Sequence, residues 1–180
     1  VSSYTTLVIS DCVFKNNSAH YRLVDVTDKE TGETTQQQYY GSGGAVYVTK
    51  GTSLKIDNST FESNTAELSA GAVYVTTNTQ TTITNSTFNQ NEAVRYGGAV
   101  YAGSAKSLSL SYCTFTQNGF IRNGEFTTER GAGIYATDTP VKALQCQYVG
   151  NNASYGAAVY VAGSASYTDQ AANVSKASLF

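Results

Sequence analysis

Proline is nearly absent from this chain, with 1 residue in 180 against 16 glycines. That balance excludes a proline-rich disordered segment and suits strands joined by turns. Charge is scarce as well: charged residues make up 13% and the net charge is −2, which leaves no basic face for a nucleic-acid partner. Histidine occurs once, as His20. A single imidazole outside any Ser-His-Asp ordering makes no nucleophile and base pair. With no Cys-x-x-Cys beside it there is no metal-ligand spacing, and no cofactor is expected. No apolar run has the length of a membrane span, no charged-then-apolar leader opens the chain, and no segment carries a helical stripe long enough to cover a sheet. At 180 residues one domain is expected, covering 1–180.

What the chain has instead is repetition. Asn58-Ser59-Thr60-Phe61 returns letter for letter as Asn85-Ser86-Thr87-Phe88, at an offset of 27 residues. The surrounding residues keep that offset, which chance would not do. The aromatic position reads Phe14, Phe61, Phe88, Phe115 and Tyr148. Three residues later stand Asn17, Asn64, Asn91, Asn118 and Asn151 without exception. Ala19, Ala66, Ala93 and Ala153 follow, with Phe120 the one departure. A second block travels with the first: GGAVYV at 43–48, AGAVYV at 70–75, GGAVYA at 97–102, GAGIYA at 131–136 and GAAVYV at 156–161. From the second residue of this block to the next aromatic the distances are 17, 17, 17 and 16 residues; from aromatic to block they are 30, 10, 10, 17 and 9. One side of the repeat is therefore nearly fixed in length. The other side takes insertions, at 20–40 and 119–130, both on the same side of the coil.

The periods inside a copy identify what is repeated. Val73 and Val75 alternate with Ala72 and Tyr74, and Leu54 and Ile56 alternate with Ser53 and Lys55, which are strand signals. Ser59 and Phe61 continue with period two, but parity breaks between Ile56 and Ser59, so a bend falls there. Each copy thus predicts three short strands. Such strands bury their apolar faces by coiling until equivalent strands stack in parallel. The fold class expected is all-β: a right-handed parallel β-helix, or solenoid, with three short strands per rung and about five rungs, right-handed because parallel crossovers are. At about 4.8 Å per rung the stack is roughly 24 Å tall.

Stacking turns sequence columns into ladders. The Phe column and the column of Val46, Val73, Val100, Ile134 and Val159 supply the core. The Asn column sits at the turn after the third strand, where each amide bonds its copies above and below and the turn backbone. Breaking one such link is expected to cost on the order of 1–3 kcal/mol. The Gly-Gly or Gly-Ala before the first strand allows a tight corner.

The five paired F-x-x-N and G-G-A-[ILV] units, spanning about residues 4–162, resemble the repeats of the polymorphic outer membrane proteins, the chlamydial autotransporter adhesins; related repeats occur in surface proteins of other microbes, protists among them. The resemblance implies a right-handed β-helical region exposed at a cell surface, where it adheres to something. Tyr148 in place of Phe, and GAG and GAA in copies four and five, depart from the pattern. No translocating β-barrel lies in this chain.

Pectinolytic enzymes share the architecture, but their sites need carboxylates clustered on adjacent rungs, often with Ca²⁺, together with basic residues. The 13 acids here do not cluster that way. Asp57 and Glu62 fall on outward or turn positions. Asp25, Asp28, Glu30 and Glu33 lie in the first insertion with Arg22 and Lys29, as a solvated loop. No catalytic or metal residue is assigned, and no enzyme is expected. The three cysteines, Cys12, Cys113 and Cys146, share one inward column with Ser59 and Ser86. Cys113 and Cys146 are on adjacent rungs at a spacing a disulfide permits, Cys12 is out of reach, and buried thiols are the reading taken.

Two outward features remain. Tyr47, Tyr74, Tyr101, Tyr135 and Tyr160 follow the inward Val or Ile, so alternation points them away from the core as an aromatic stripe. The stripe is either mutual stacking over a Gly-rich strand or a contact surface for glycans or a neighbouring solenoid. Acceptor sequons occur at Asn16, Asn58, Asn85, Asn152 and Asn173, none of them a ladder asparagine, with Asn58 and Asn85 in an outward column open to glycans. The function expected is a non-catalytic extracellular or cell-surface solenoid acting as an adhesin-like module. Its partners would be surface glycans or proteins of a host or neighbouring cell. The alternative is a structural subunit of an extracellular filament or coat made of copies of itself. Its motive is a repeat already under way at Tyr4, which reads as part of a longer chain, and the lack of a capping helix after Gly163. A pectin-lyase-like carbohydrate-active enzyme is the third reading.

Overall fold

The computed structural model describes residues 5–119, 121–122, 125–126 and 128–169. These form a parallel β-helix. A six-stranded sheet stacks Thr6–Ser10, Ser53–Asp57, Gln80–Thr84, Ser107–Ser111, Pro140–Leu144 and Ser166–Asp169, in that order. A five-stranded sheet carries the Phe column on Val13–Lys15, Thr60–Glu62, Thr87–Asn89, Thr114–Thr116 and Gln147–Val149. A second five-stranded sheet carries the Tyr column on Val46–Val48, Val73–Thr76, Val100–Gly103, Ile134–Thr137 and Val159–Ala162. All of these pairings are parallel and in register, so Leu54 lies over Thr81 and Leu108, Phe61 over Phe88, and Val73 over Val100.

Two details go beyond the three strands per copy. Among the described residues, Ser18–Ala19, Thr65–Ala66 and Glu92–Ala93 form a short fourth strand on the first three rungs. Ser166–Asp169 adds a sixth strand to the long sheet, beyond the five copies of the Phe and Asn columns. The inward residues close the core. Phe61, Phe88 and Phe115 are fully buried and stack face to face, with centroids 4.9 and 4.7 Å apart. Burying each such ring stabilises the coil by roughly 1.5–3 kcal/mol. Tyr148 ends this stack at 5.1 Å from Phe115, and its hydroxyl hydrogen-bonds that of Tyr167 at 3.3 Å. A phenol therefore suits the end of the column, where a polar group has a partner.

The corners use left-handed backbone at almost every rung. At the bend between the long sheet and the Phe sheet, Asp11, Asn58, Asn85, Tyr112 and Gln145 all have φ between 45 and 56°. Before the Tyr sheet the same role falls to Gly43, Gly97, Gly131 and Gly156, with Ala70 at φ 58° as the exception. Glycine takes this conformation without steric cost, whereas other residues need the surrounding ladder to hold them there.

The first insertion is more ordered than a solvated loop. Arg22–Thr27 and Thr34–Tyr39 pair antiparallel as a hairpin. Its turn is closed by Asp28, whose Oδ1 accepts the backbone N–H groups of Glu30 at 2.7 Å and Thr31 at 2.9 Å. The alternation of Val24 and Val26 with Leu23 and Asp25 supplies the strand period. In the second insertion Ile121–Arg122 pairs antiparallel with Glu125–Phe126; residues 120, 123, 124 and 127 lie outside the described residues.

Candidate functional site

The Asn column forms a continuous chain of amides. Asn17 Nδ2 donates to Asn64 Oδ1 at 2.8 Å, Asn64 to Asn91 at 2.9 Å, Asn91 to Asn118 at 3.0 Å and Asn118 to Asn151 at 2.9 Å. Each amide also donates to the carbonyl of the aromatic residue one rung back: Asn64 to Phe14, Asn91 to Phe61, Asn118 to Phe88 and Asn151 to Phe115. The same Oδ1 atoms accept a backbone N–H from the neighbouring Asn. Asn64, Asn91 and Asn118 are fully buried while Asn17 is exposed. With its donors and acceptor all engaged inside the wall, this column is occupied by its own structure.

The cysteines sit in a column that asks for a small donor. Ser59 Oγ donates to the carbonyl of Asp57 at 2.8 Å and Ser86 to Thr84 at 2.7 Å. Cys12 and Cys113 thiols do the same to Ser10 and Ser111, two residues earlier in the chain. All three cysteines are thiols. A hydrogen bond with Cys146, and then burial, push the Cys113 thiol well above its ordinary range, so it stays protonated and unreactive.

The tyrosine column differs most from an open stripe. Its rings stack on one another, Tyr47 on Tyr74 and Tyr74 on Tyr101 at 4.8 Å, then Tyr101 on Tyr135 and Tyr135 on Tyr160 at 5.4 Å, all within 6° of parallel. Exposure falls from 57% at Tyr47 to 8% at Tyr135. Tyr96 covers Tyr135 with centroids 4.7 Å apart. The Arg130 guanidinium lies 5.8 Å from the ring centroids of Tyr96, Tyr155 and Tyr160. Burial pushes the Tyr101 hydroxyl up to about 12 and raises those of Tyr74 and Tyr135. Within the stack the ring faces are spent on each other, so alternation gave the direction of these side chains but not their availability.

Other singled-out residues are dispersed. Asn58 Nδ2 donates to Asp11 Oδ1 at 2.6 Å and Asn85 Nδ2 to Asp57 Oδ1 at 3.0 Å. These amides help hold both carboxylates below the usual range; for Asp57 the Thr84 hydroxyl contributes first. Asn16, Asn58 and Asn85 are exposed at corners, Asn152 is half-buried, and Asn173 lies outside the described residues. His20 faces Glu67, 3.5 Å from Nδ1 to Oε1, at the base of the hairpin. On the hairpin and its base Tyr21, Leu23, Tyr39 and Tyr40 are about half exposed, at 48–54%.

One site escaped the sequence reading. At the corner leading into the long sheet, an open groove of about 590 Å³ is lined by Thr5, Lys50, Gly51, Ser53, Thr77, Asn78, Gln80 and Lys106. Buried Thr52 and Thr79 brace the corner by donating to the carbonyls of Thr49 and Thr76. The signal was a threonine just ahead of the Ser53, Gln80 and Pro140 strands, at Thr52, Thr79 and Thr139, with Lys106 at the same position ahead of Ser107 and Lys50 two residues before Thr52.

Residues 1–174 match the protein family described as a right handed beta helix region. Searches of curated proteins and of solved structures return no match.

Proposed function

Because the chain belongs to the right-handed β-helix family, whose coil is a rigid frame with insertions at its corners, we propose that it is a non-catalytic binding module of the adhesin kind, displayed outside the cell. The paired F-x-x-N and G-G-A-[ILV] units support a surface protein of the polymorphic outer membrane protein type. The observation that carries the reading is the hairpin. It projects two short strands and presents Tyr21, Leu23, Tyr39 and Tyr40 with about half of each side chain in water. A lone hairpin is marginal in water, and exposed aromatic residues favour association. Unlike the stacked tyrosines of the ladder, none of these four stacks on another aromatic ring among the described residues; the Arg22 guanidinium lies over Tyr39 at 5.8 Å, and the Tyr39 hydroxyl donates to Gln37 Oε1 at 3.1 Å. Surface glycans or proteins of a host or neighbouring cell are the partners such residues suit. Exposed Asn16, Asn58 and Asn85 would carry any glycans on the corners, directed away from the coil.

The second copy shows how to test this. There the same elements are linked without an insertion, Glu67 and Leu68 standing where residues 20–41 stand in the first. Replacing 20–41 by that Glu-Leu pair should leave the coil folded and abolish adhesion to target cells. Adhesion at the level of the unaltered protein would remove the reading. Filaments in the electron microscope that persist in the shortened variant would instead favour a structural subunit.

A further inference from the structure

The lysines among the described residues fall into two groups. Lys15 is neutralised by Glu62 at 2.9 Å, and Lys29 sits in the hairpin turn among acids. Lys50, Lys55, Lys106 and Lys142 are exposed and make no ion pair among the described residues. All four lie on one side of the coil. Lys55 and Lys142 occupy the same outward column of the long sheet, with Thr82 and Ser109 between them. Lys50 and Lys106 flank the corner groove that opens onto that sheet. At about 4.8 Å per rung, Lys50 and Lys106 are separated by two rungs, roughly 10 Å along the stack, and the equivalent Lys55 and Lys142 by three rungs, roughly 14 Å.

The groove between them holds no carboxylate. Its remaining side chains, Thr5, Ser53, Thr77, Asn78 and Gln80, are neutral hydrogen-bonding groups. We propose that this groove and the adjoining sheet face bind an acidic polysaccharide. Lys50 and Lys106 take its sulfate or uronate groups, while the amides and hydroxyls take sugar hydroxyls. Lys55 and Lys142 extend the track along the stack. The lining fits this ligand better than other polyanions. Among the described residues no aromatic ring lines the groove for a base to stack on, and no apolar side chain lines it to enter a lipid headgroup layer. The proposal rests on the surface-module reading for its biological setting and on different residues for its chemistry.

The test uses heparin fragments for the sulfated arm and polygalacturonate for the uronate arm, with dextran as the neutral control. Binding is measured by calorimetry across a salt series. The unaltered protein should bind one of the acidic polymers and not dextran, with affinity falling as salt rises. The variant Lys50→Gln with Lys106→Gln should bind about tenfold more weakly, from two exposed charge contacts. Lys15→Gln with Lys29→Gln makes the same change in net charge elsewhere and should bind as before. Unchanged thermal unfolding of both variants excludes a folding defect. The proposal is overturned by binding to neither acidic polymer at low salt, or by equal loss in the two variants. Binding of RNA or phosphatidylserine vesicles as tight as that of the polysaccharide overturns it too. The variant lacking residues 20–41 separates the two readings: it should keep polysaccharide binding whether or not it keeps cell adhesion.

Discussion

Within the core, one side chain breaks its own column. The inward position of the long sheet reads Leu7, Leu54, Thr81, Leu108, Val141 and Tyr167. Thr81 is fully buried, and its Oγ1 has no hydrogen-bond partner among the described residues. The other buried hydroxyls at the corners, Thr52, Thr79 and Thr139, each donate to a carbonyl two or three residues back. Mid-strand carbonyls are already committed to the ladder, so Thr81 has no such outlet. Thr81→Val keeps the branched shape and deletes the unmatched hydroxyl. We expect it to raise stability by about 1 kcal/mol, since a buried unsatisfied group costs about 1–3 kcal/mol. Denaturant unfolding measures this, and an unchanged or lower midpoint would show that the hydroxyl is satisfied. The sequence displayed Thr81 as an ordinary member of an alternating strand. Asn91 could be read from its column because its type recurs in every copy. A single departure from a column carries no such repetition, and only the packing around it shows whether it is matched.

Between elements, the alternation of glycine and alanine before the Tyr sheet has a physical cause that lies one rung away. A Cβ on Gly71 would meet the backbone N and O of Glu92 at 2.5 Å and the Gly98 carbonyl as well. Glu92 belongs to the short fourth strand of the next rung, and Gly44 stands in the same relation to Thr65. At Gly98 a Cβ would still meet the Ala132 carbonyl at 2.5 Å, but on the side of the fourth strand the crowding eases, the nearest atom there being Gly119 N at 3.1 Å. Ala132 occupies the same position where the next rung, at Asn152 and Ala153, has no fourth strand among the described residues. The GAG block is thus fitted to a rung with a more open neighbour. Gly71→Ala, with carbonyl and fourth-strand clashes together, should cost about 3 kcal/mol, and Gly98→Ala, with the carbonyl clash alone, about 2 kcal/mol, within the usual range for overpacking a filled site. Thermal unfolding of the two variants checks the order; equal losses would refute the role of the fourth strand. The sequence marked a tight corner here through its glycines. Broken parity marked the bend at Asn58, and the asparagine that follows marked the turns at Ser63 and Gln117, but nothing marked their left-handed backbone, where φ is 45–54° on residues of no fixed type. At those positions the ladder imposes the conformation and the side chain merely tolerates it. The hairpin was hidden for a related reason, since Thr34–Tyr39 is exposed throughout and shows no apolar alternation.

Across the whole molecule, the nearly fixed spacing of 17, 17, 17 and 16 residues from block to aromatic made the coil legible, because a solenoid repeats in space what the chain repeats in order. Surface chemistry is another matter. The lysine groove draws Lys50, Gln80 and Lys106 from three successive turns, at positions that are not equivalent within the repeat. Column reasoning averages over such residues and loses them. The same construction makes a stringent test of the architecture. Outside the two insertions, each described strand pairs only with its equivalents one rung above and below, so stability is close to a sum over rungs and their contacts. Deleting residues 58–84 joins Asp57 to Asn85 and removes one full turn. Ser53 would then face Ser107, Phe14 would face Phe88, Asn17 would face Asn91 and Tyr47 would face Tyr101, each the partner that current pairing places one further rung along. The shortened chain should fold with the same circular dichroism per residue and unfold cooperatively. Its stability should be lower by about 1–4 kcal/mol, at the usual 0.05–0.15 kcal/mol per residue for the segment removed. A globular fold sharing one core among distant segments would not survive such a cut. If the shortened chain is unfolded or aggregated, the rungs are not independent in this sense, and long-range coupling along the stack, rather than nearest-neighbour pairing, holds the protein together.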